Sequence, residues 1–281
     1  MCIRDRLMDS IVLLGTGCPS PSHERFGPST LVTSGNQNIL IDAGSGVTQR
    51  LSEHGLKPSA IDIILITHLH SDHIVDLYQL YISGWHSGRT KPFKLVGPRG
   101  IDKFFNKTME AYDDELSLRI EWEKRPNNAG LEIEIIEINE EFTFDDQDIK
   151  IKSIEVQHQP VEPAYGYEFL VKNKKVTYSG DTKYSKNLEN ASKNAEYLIH
   201  EVFVDLNFDD KRMTQDTLKN VREYHSTPED VGKLAQAANV KNLVLNHFVP
   251  PVFDEELLKN EISKYYDGKI IVGSDLDVFN L

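Results

Sequence analysis

The reading turns on Ile61-Asp62-Ile63-Ile64-Leu65-Ile66-Thr67 and the residues that follow it, His68-Leu69-His70-Ser71-Asp72-His73. The first seven are almost all β-branched or aliphatic, the mark of a strand covered on both faces. Ile74, Leu77, Tyr78, Leu80 and Tyr81 then recur at helical spacing. A buried strand therefore gives way to an amphipathic helix, and three histidines and an aspartate sit at the junction. Imidazole and carboxylate are donors that divalent ions take. A loop leaving a buried strand lets them converge without burying unpaired charge. His68 and His70, two apart on extended chain, can face one side. Asp72 and His73 open the next helix and suit a second ion, since paired catalytic metals lie about 3.5–4 Å apart. The plainer alternative is a polar surface loop that merely contains histidines; the register after a buried strand argues against it.

Outward from this junction, strand and helix patterns alternate. Ile11 to Gly15, Ser29 to Thr33 and Asn38 to Ile41 read as strands feeding a helix through Val47 and Leu51. Downstream come Phe93 to Val96, a helix from Ile101 to Tyr112, and a polar insertion or rim segment from Asp113 to Gly130. Strand patterns then dominate from Leu131 to Ser179, with Asn173-Lys174 as a hairpin turn. Alternation returns with strands at Tyr197 to Val202, Asn242 to Leu245 and Lys269 to Val272, and helices at Pro228 to Asn239 and Asp254 to Tyr265. Thr227 precedes Pro228-Glu229-Asp230 as an N-cap with acids in the first turn. This order predicts an α/β protein, a four-layer αββα sandwich of two mixed β-sheets.

Composition fits one such layered domain of 281 residues. With 39% hydrophobic residues there is enough apolar material for a sizeable core. The net charge of −13 disfavours a partner that needs a broadly basic surface, although a metal can reverse the field locally. Cys2 and Cys18 form no disulfide framework, which fits a reducing cytoplasm. No apolar run reaches membrane-spanning length or the core of a signal peptide. Residues 1–7 lack periodicity and read as a leader or scar, with a single domain over 8–281.

Four donors in one loop cannot close two metal sites. Later strands end in His158, Asp181 and His247, and carboxyl ends of strands share one rim in an α/β sheet. Taken singly, each would be an ordinary hydrogen-bonded loop residue; their shared position groups them with His68 to His73.

These pieces, together with Ile41-Asp42-Ala43-Gly44 and Ser179-Gly180-Asp181-Thr182, resemble the metallo-β-lactamase fold superfamily from Met8 onward. The resemblance implies one metal held by His68, His70 and His158, a second by Asp72, His73 and His247, and Asp181 bridging both. Asp42 would orient the histidine loop from behind. The implied cofactors are two divalent ions, zinc first, with manganese or iron as alternatives.

Ile199-His200-Glu201-Val202 and His225-Ser226-Thr227 look like the paired motifs of the ribonuclease Z and arylsulfatase-like branch. There the second histidine approaches the scissile group and the glutamate orients it. Expelling an alkoxide or phenolate needs such a proton donor opposite the attacking water. Asp72, His225 and Glu201 are thus the expected catalytic residues, with water activated by the metal pair as nucleophile. The short interval from His158 to Asp181 has no room for the long arm with which ribonuclease Z clamps tRNA. Arg25-Phe26-Gly27-Pro28-Ser29-Thr30, Trp85 to Arg89 and Gly97-Pro98-Arg99-Gly100 look like the arylsulfatase-like subgroup. The expectation is a hydrolase of small anionic esters, aryl sulfates or phosphodiesters, with nucleic acid not favoured and a homodimer implied. A ribonuclease Z-like tRNA 3′-processing endonuclease is the first alternative and a lactonase or β-lactamase-type acyl hydrolase the second. A non-catalytic binding protein is disfavoured, because no ligand is missing. Arg25, Trp85 and Arg89 are the expected substrate contacts.

Overall fold

In the computed structural model, residues 9–206 and 214–281 are described, so the leader expected at 1–7 lies outside the described residues. The first sheet contains β1 (Ser10–Gly15), β2 (Ser29–Ser34), β3 (Gln37–Ile41), β4 (Ile63–Leu65), β5 (Phe93–Pro98), β6 (Ile133–Ile138) and β14 (Val278–Asn280), in the order β14-β1-β2-β3-β4-β5-β6. The second contains β7 (Thr143–Asp145), β8 (Ile149–Val156), β9 (Ala164–Val171), β10 (Lys174–Tyr178), β11 (Tyr197–Phe203), β12 (Asn242–Val249) and β13 (Lys269–Val272), in the order β13-β12-β11-β10-β9-β8-β7. Both mix parallel and antiparallel pairs.

The period of two decides the layers, because successive side chains leave a strand on opposite faces. Ile63 and Leu65 point to a central core shared with Tyr167, Phe169, Val176 and Ile199 of the second sheet. Ile64 and Ile66 point outward, against α1 (Val47–Glu53), α3 (Leu77–His86) and α4 (Ile101–Ala111). On the far side, Leu198, Val202, Leu243 and Leu245 meet α6 (Lys186–Ala191), α8 (Pro228–Ala237) and α9 (Glu255–Ile262). The result is the expected four-layer sandwich. Among the described residues, no helix is long and apolar enough to cross a membrane.

Local differences have local causes. The amphipathic helix after His73 is broken into α2 (Ser71–Ile74) and α3, because Asp76 turns to accept the Gly46 N–H at 2.7 Å while its own N–H donates to Ala43 O. The hairpin turn is Lys172-Asn173 rather than Asn173-Lys174, since Val171 pairs with Lys174 and Lys172 takes the left-handed φ of 54°. The segment expected to be a polar rim instead forms α5 (Asp113–Glu123). Its apolar residues 116, 118, 120 and 122 alternate with a strand-like period. The helix is favoured by three acids in its first turn and by Arg119 bridging Glu115 and Glu123 one turn away on each side.

At α8, Thr227 accepts from the Asp230 N–H at 3.2 Å, and the Asp230 carboxylate accepts from the Thr227 N–H at 3.1 Å. This capping box closes the turn that carries His225. Thr227→Ala is expected to cost about 1 kcal/mol of stability in urea titration.

Candidate active site and metal centre

Strands β8, β10, β11 and β12 run in one direction, so His158, Asp181, Glu201 and His247 gather at one sheet edge. The histidine loop after β4 is bound to that edge from the other sheet. Tyr165 N–H donates to Thr67 O at 2.9 Å, and the Tyr167 hydroxyl donates to Ile66 O at 2.7 Å. His247 reaches inward because of a bulge: Glu201 pairs with Asn246 and Val202 with Phe248, leaving His247 unpaired at φ 40°. Gly180 is required beside Asp181. It has φ 59°, and a Cβ there would lie 2.5 Å from Tyr165 O.

The structure brings all seven expected ligands together in two groups. His68, His70, His158 and Asp181 form one, and Asp72, His73 and His247 the other, each with one donor atom per residue within 4.8 Å of the rest. His70 Nδ1 is 2.9 Å from His68 Nε2 and 3.0 Å from His158 Nε2. Asp181 Oδ2 stands 3.7 Å from His68, 3.4 Å from His73, 3.9 Å from His158 and 3.4 Å from His247. These last contacts are mostly too long for hydrogen bonds. They resemble the roughly 3.3 Å separation of ligands that each lie about 2.0–2.1 Å from a tetrahedral ion.

Hydrogen bonds made away from the centre fix the imidazoles. Asp42, fully buried at φ 59°, accepts from His73 Nδ1 at 2.8 Å and from the Thr67 N–H at 2.8 Å. His158 Nδ1 donates to Tyr224 O at 2.8 Å. His73 and His158 therefore aim Nε2 at the centre, and His73 Nε2 is buried without a partner. Burial pushes His68, His70 and His158 below the usual imidazole range, toward the neutral form that ligates metals. Burial opposes protonation of His73 too, but Asp181, Asp42 and Asp72 override it and hold its proton well above that range. Three carboxylates around one buried imidazole make a place that calls for positive charge. The donor set fits divalent ions. Asp42→Asn should weaken ion binding by roughly 10- to 100-fold, measured by chelator competition.

Beside the cluster stands a second unit. His225 Nδ1 donates to Glu201 Oε1 at 2.9 Å, and that oxygen also accepts from Thr182 N–H at 2.9 Å and Ser226 N–H at 3.2 Å. His225 Nε2 is left to face the centre, with the ring 5.1 Å from His158 and 5.9 Å from His247. Burial depresses its pKa, but the Glu201 charge and hydrogen bond more than compensate, so it stands above the ordinary value.

The expected substrate contacts need correction. Trp85 is 2% exposed in the outer core, with the Arg125 guanidinium over its ring. Arg89 is 3% exposed and donates to Gly130 O and Tyr81 O, so it joins backbone to backbone. Trp85 faces inward from α3, and Arg89, just past its C-terminal end, folds back so that its guanidinium lies over the Tyr81 and Phe93 rings. Arg25 lies in a cleft beside Asp72, yet its guanidinium donates to Thr16 Oγ1 at 2.9 Å and Gly273 O at 2.7 Å. Sequence reading passed over Thr67, Tyr224 and Ser226, which orient the donors. Thr67 and Ser226 adjoin the motifs, which is a usable signal, whereas Tyr224 acts through its carbonyl and leaves none.

A sandwich of this kind with this His/Asp centre defines a metal-dependent hydrolase of the metallo-β-lactamase fold. The crystal structure of the metallo-β-lactamase fold protein YhfI from Bacillus subtilis matches with a TM-score of 0.75 at 19% identity, over 98% of this chain and 100% of that one. Human tRNase Z, short form, matches at 0.71 and 22% identity, over 96% of this chain and 98% of that one. The ribonuclease Z of Mycobacterium marinum is 31% identical over 277 residues, 96% of this chain and 97% of that protein. The family model described as Anti-Pycsar protein Apyc1 matches residues 9–245. The chain belongs to that family and is a homologue of ribonuclease Z along its length.

Proposed function

We propose that this protein hydrolyses phosphodiester bonds of nucleotides, with the two His/Asp groups holding two divalent ions, zinc first. The observation that carries this reading is the buried His225–Glu201 pair facing the centre. A thiol or aryl ester can expel its leaving group unprotonated, whereas a nucleotide alkoxide needs a proton donor of this kind. The full-length relationship to an enzyme named ribonuclease Z supports phosphorus over sulfur as the site of attack. It weighs against the aryl-sulfate leaning of Arg25 to Thr30 and Gly97 to Gly100.

Ions bound there would supply an acidic water and draw charge from the phosphoryl oxygens. Asp72, 3.5 Å from His73 and 3.4 Å from His247, would orient that water and receive its proton. His225 Nε2 gives its proton to the departing oxygen, and Glu201 keeps the imidazole in the tautomer that can do so. Asp42 and the Tyr224 carbonyl prevent the ligand rings from turning.

RNA is the substrate class that the name of the full-length relative supports. A second reading, a small nucleotide ester, is favoured by two features of this chain. Between His158 and Asp181 there is only the β9–β10 hairpin, with no protruding arm, and the net charge is −13. A long polyanion needs a broad positive track, but one phosphate needs only the local field of the ions. The same reading includes a cytoplasmic homodimer, for which sedimentation is the check.

The test is a set of parallel rates, with and without chelator, on a precursor tRNA, a dinucleotide, a bis-aryl phosphodiester, an aryl sulfate and a lactone. Chelator-sensitive cleavage of the phosphodiesters is expected. A faster aryl sulfate or lactone would replace this reading, and the tRNA-to-dinucleotide ratio separates its two substrates.

A further inference from the structure

A cleft of about 320 Å³ opens beside Asp72, between the loop from Cys18 to Gly27 and the turn from Ser71 to Val75. Its size lies at the lower end of small-molecule sites. Its walls include Asp72 but neither His158 nor His225, so it adjoins the centre away from the proton donor. A substituent lying here is therefore the one the phosphate keeps, not the one that leaves past His225.

The wall chemistry restricts that substituent. Pro19, Phe26 and Val75 give apolar surface, and Ser20, Ser45 and Ser71 place neutral hydroxyls around it. Its only arginine, Arg25, is committed to Thr16 Oγ1, Gly273 O and Glu255, with its guanidinium carbon 4.2 Å over the Phe248 ring. Nothing in this wall matches a second phosphate. Apolar surface with scattered hydroxyls suits a flat, neutral heterocycle bearing hydrogen-bonding edges.

The cleft is also held in shape before anything binds. Asp275, from the loop before β14 and 5% exposed in its side chain, accepts from Thr16 N–H at 2.9 Å, Thr16 Oγ1 at 2.8 Å, Phe26 N–H at 2.8 Å and Arg50 Nη2 at 3.1 Å. One carboxylate thus ties both ends of the loop together. Arg50 lies 3.9 Å over the Phe26 ring and fixes that side. An ordered wall removes part of the entropy cost of binding.

We propose that this cleft binds the base of the nucleoside retained on the phosphate, with Val75 and Ser45 lining the base and Asp275 positioning the loop. The proposal rests on the phosphodiesterase reading above. Two substrates sharing one leaving group test it: the p-nitrophenyl ester of thymidine 5′-phosphate and methyl p-nitrophenyl phosphate. The wild-type protein should prefer the nucleotidyl ester by roughly ten- to hundredfold in kcat/KM, chiefly through KM. Val75→Trp and Ser45→Trp, both at exposed positions, should each pull that ratio toward one by filling the cleft. A wild-type ratio near one, or a preference that survives both substitutions, overturns the base site while leaving the phosphodiesterase reading intact. No turnover of either ester overturns both.

Discussion

Asp181→Ala should lose bound metal together with more than about a thousandfold of kcat/KM, beyond about 4 kcal/mol of transition-state stabilisation. The reason is geometric. Asp181 Oδ2 faces His68 and His158 of one group and His73 and His247 of the other, at 3.4 to 3.9 Å. It lies within 4 Å of histidines from both groups. These imidazoles and the desolvation of the site set up a strong opposition: burial raises the Asp181 pKa, and His247, His73 and His68 lower it further, to well below the usual carboxylate range. Removing the charge leaves four inward nitrogens with no common anion, so ions should leave during dialysis. Asp181→Asn should behave nearly as badly, because the amide keeps the shape but not the charge. Elemental analysis and initial rates on a phosphodiester check both variants. Full metal content with an unimpaired rate would remove Asp181 from the centre.

His225→Ala should retain its metal yet lose roughly 10²- to 10⁴-fold in kcat on esters with alkoxide leaving groups. With p-nitrophenolate, which departs without help, the loss should be much smaller. The slope of rate against leaving-group pKa should therefore steepen. The pH profile gives a second readout. Burial alone would lower the His225 pKa, but Glu201 raises it above the ordinary imidazole value, so the acid form persists to higher pH. Glu201→Gln removes the carboxylate charge and should move the basic limb of the alkoxide-ester profile to lower pH. An unchanged slope and an unchanged limb would exclude His225 as the acid. A merely structural histidine would not link those two observables.

Much of this was legible in the residues because the signals are short-range. The continuous run from Ile61 to Thr67 required a strand covered on both faces, and β4 is indeed buried on both. The donor loop at its end could only be useful at a rim, and the strand ends carrying His158, Asp181 and His247 arrive at that rim. Thr227 announced its helix by side-chain chemistry alone. The failures are equally specific. Trp85 and Arg89 have rim-like composition, but Trp85 lies on the inward side of α3 and Arg89, beyond the helix end, is buried against it. Residues 116 to 122 carry a strand-like period and fold as α5, where acidic first-turn residues and Arg119 outweigh pattern. Asp275 had no motif, because its four donors come from positions far earlier in the chain.

By itself, then, the sequence determined the layer order and the inventory of donors, since alternation, helical spacing and capping act over a few residues. Only the tertiary structure decided what those donors do. The bulge that turns His247 inward, the left-handed Asp42 behind His73, the choice of His225 Nδ1 for Glu201 and the cleft closed by Asp275 all depend on register and on contacts between distant segments. Such contacts form only when two sheets and their loops are fixed against one another, and no local pattern encodes them.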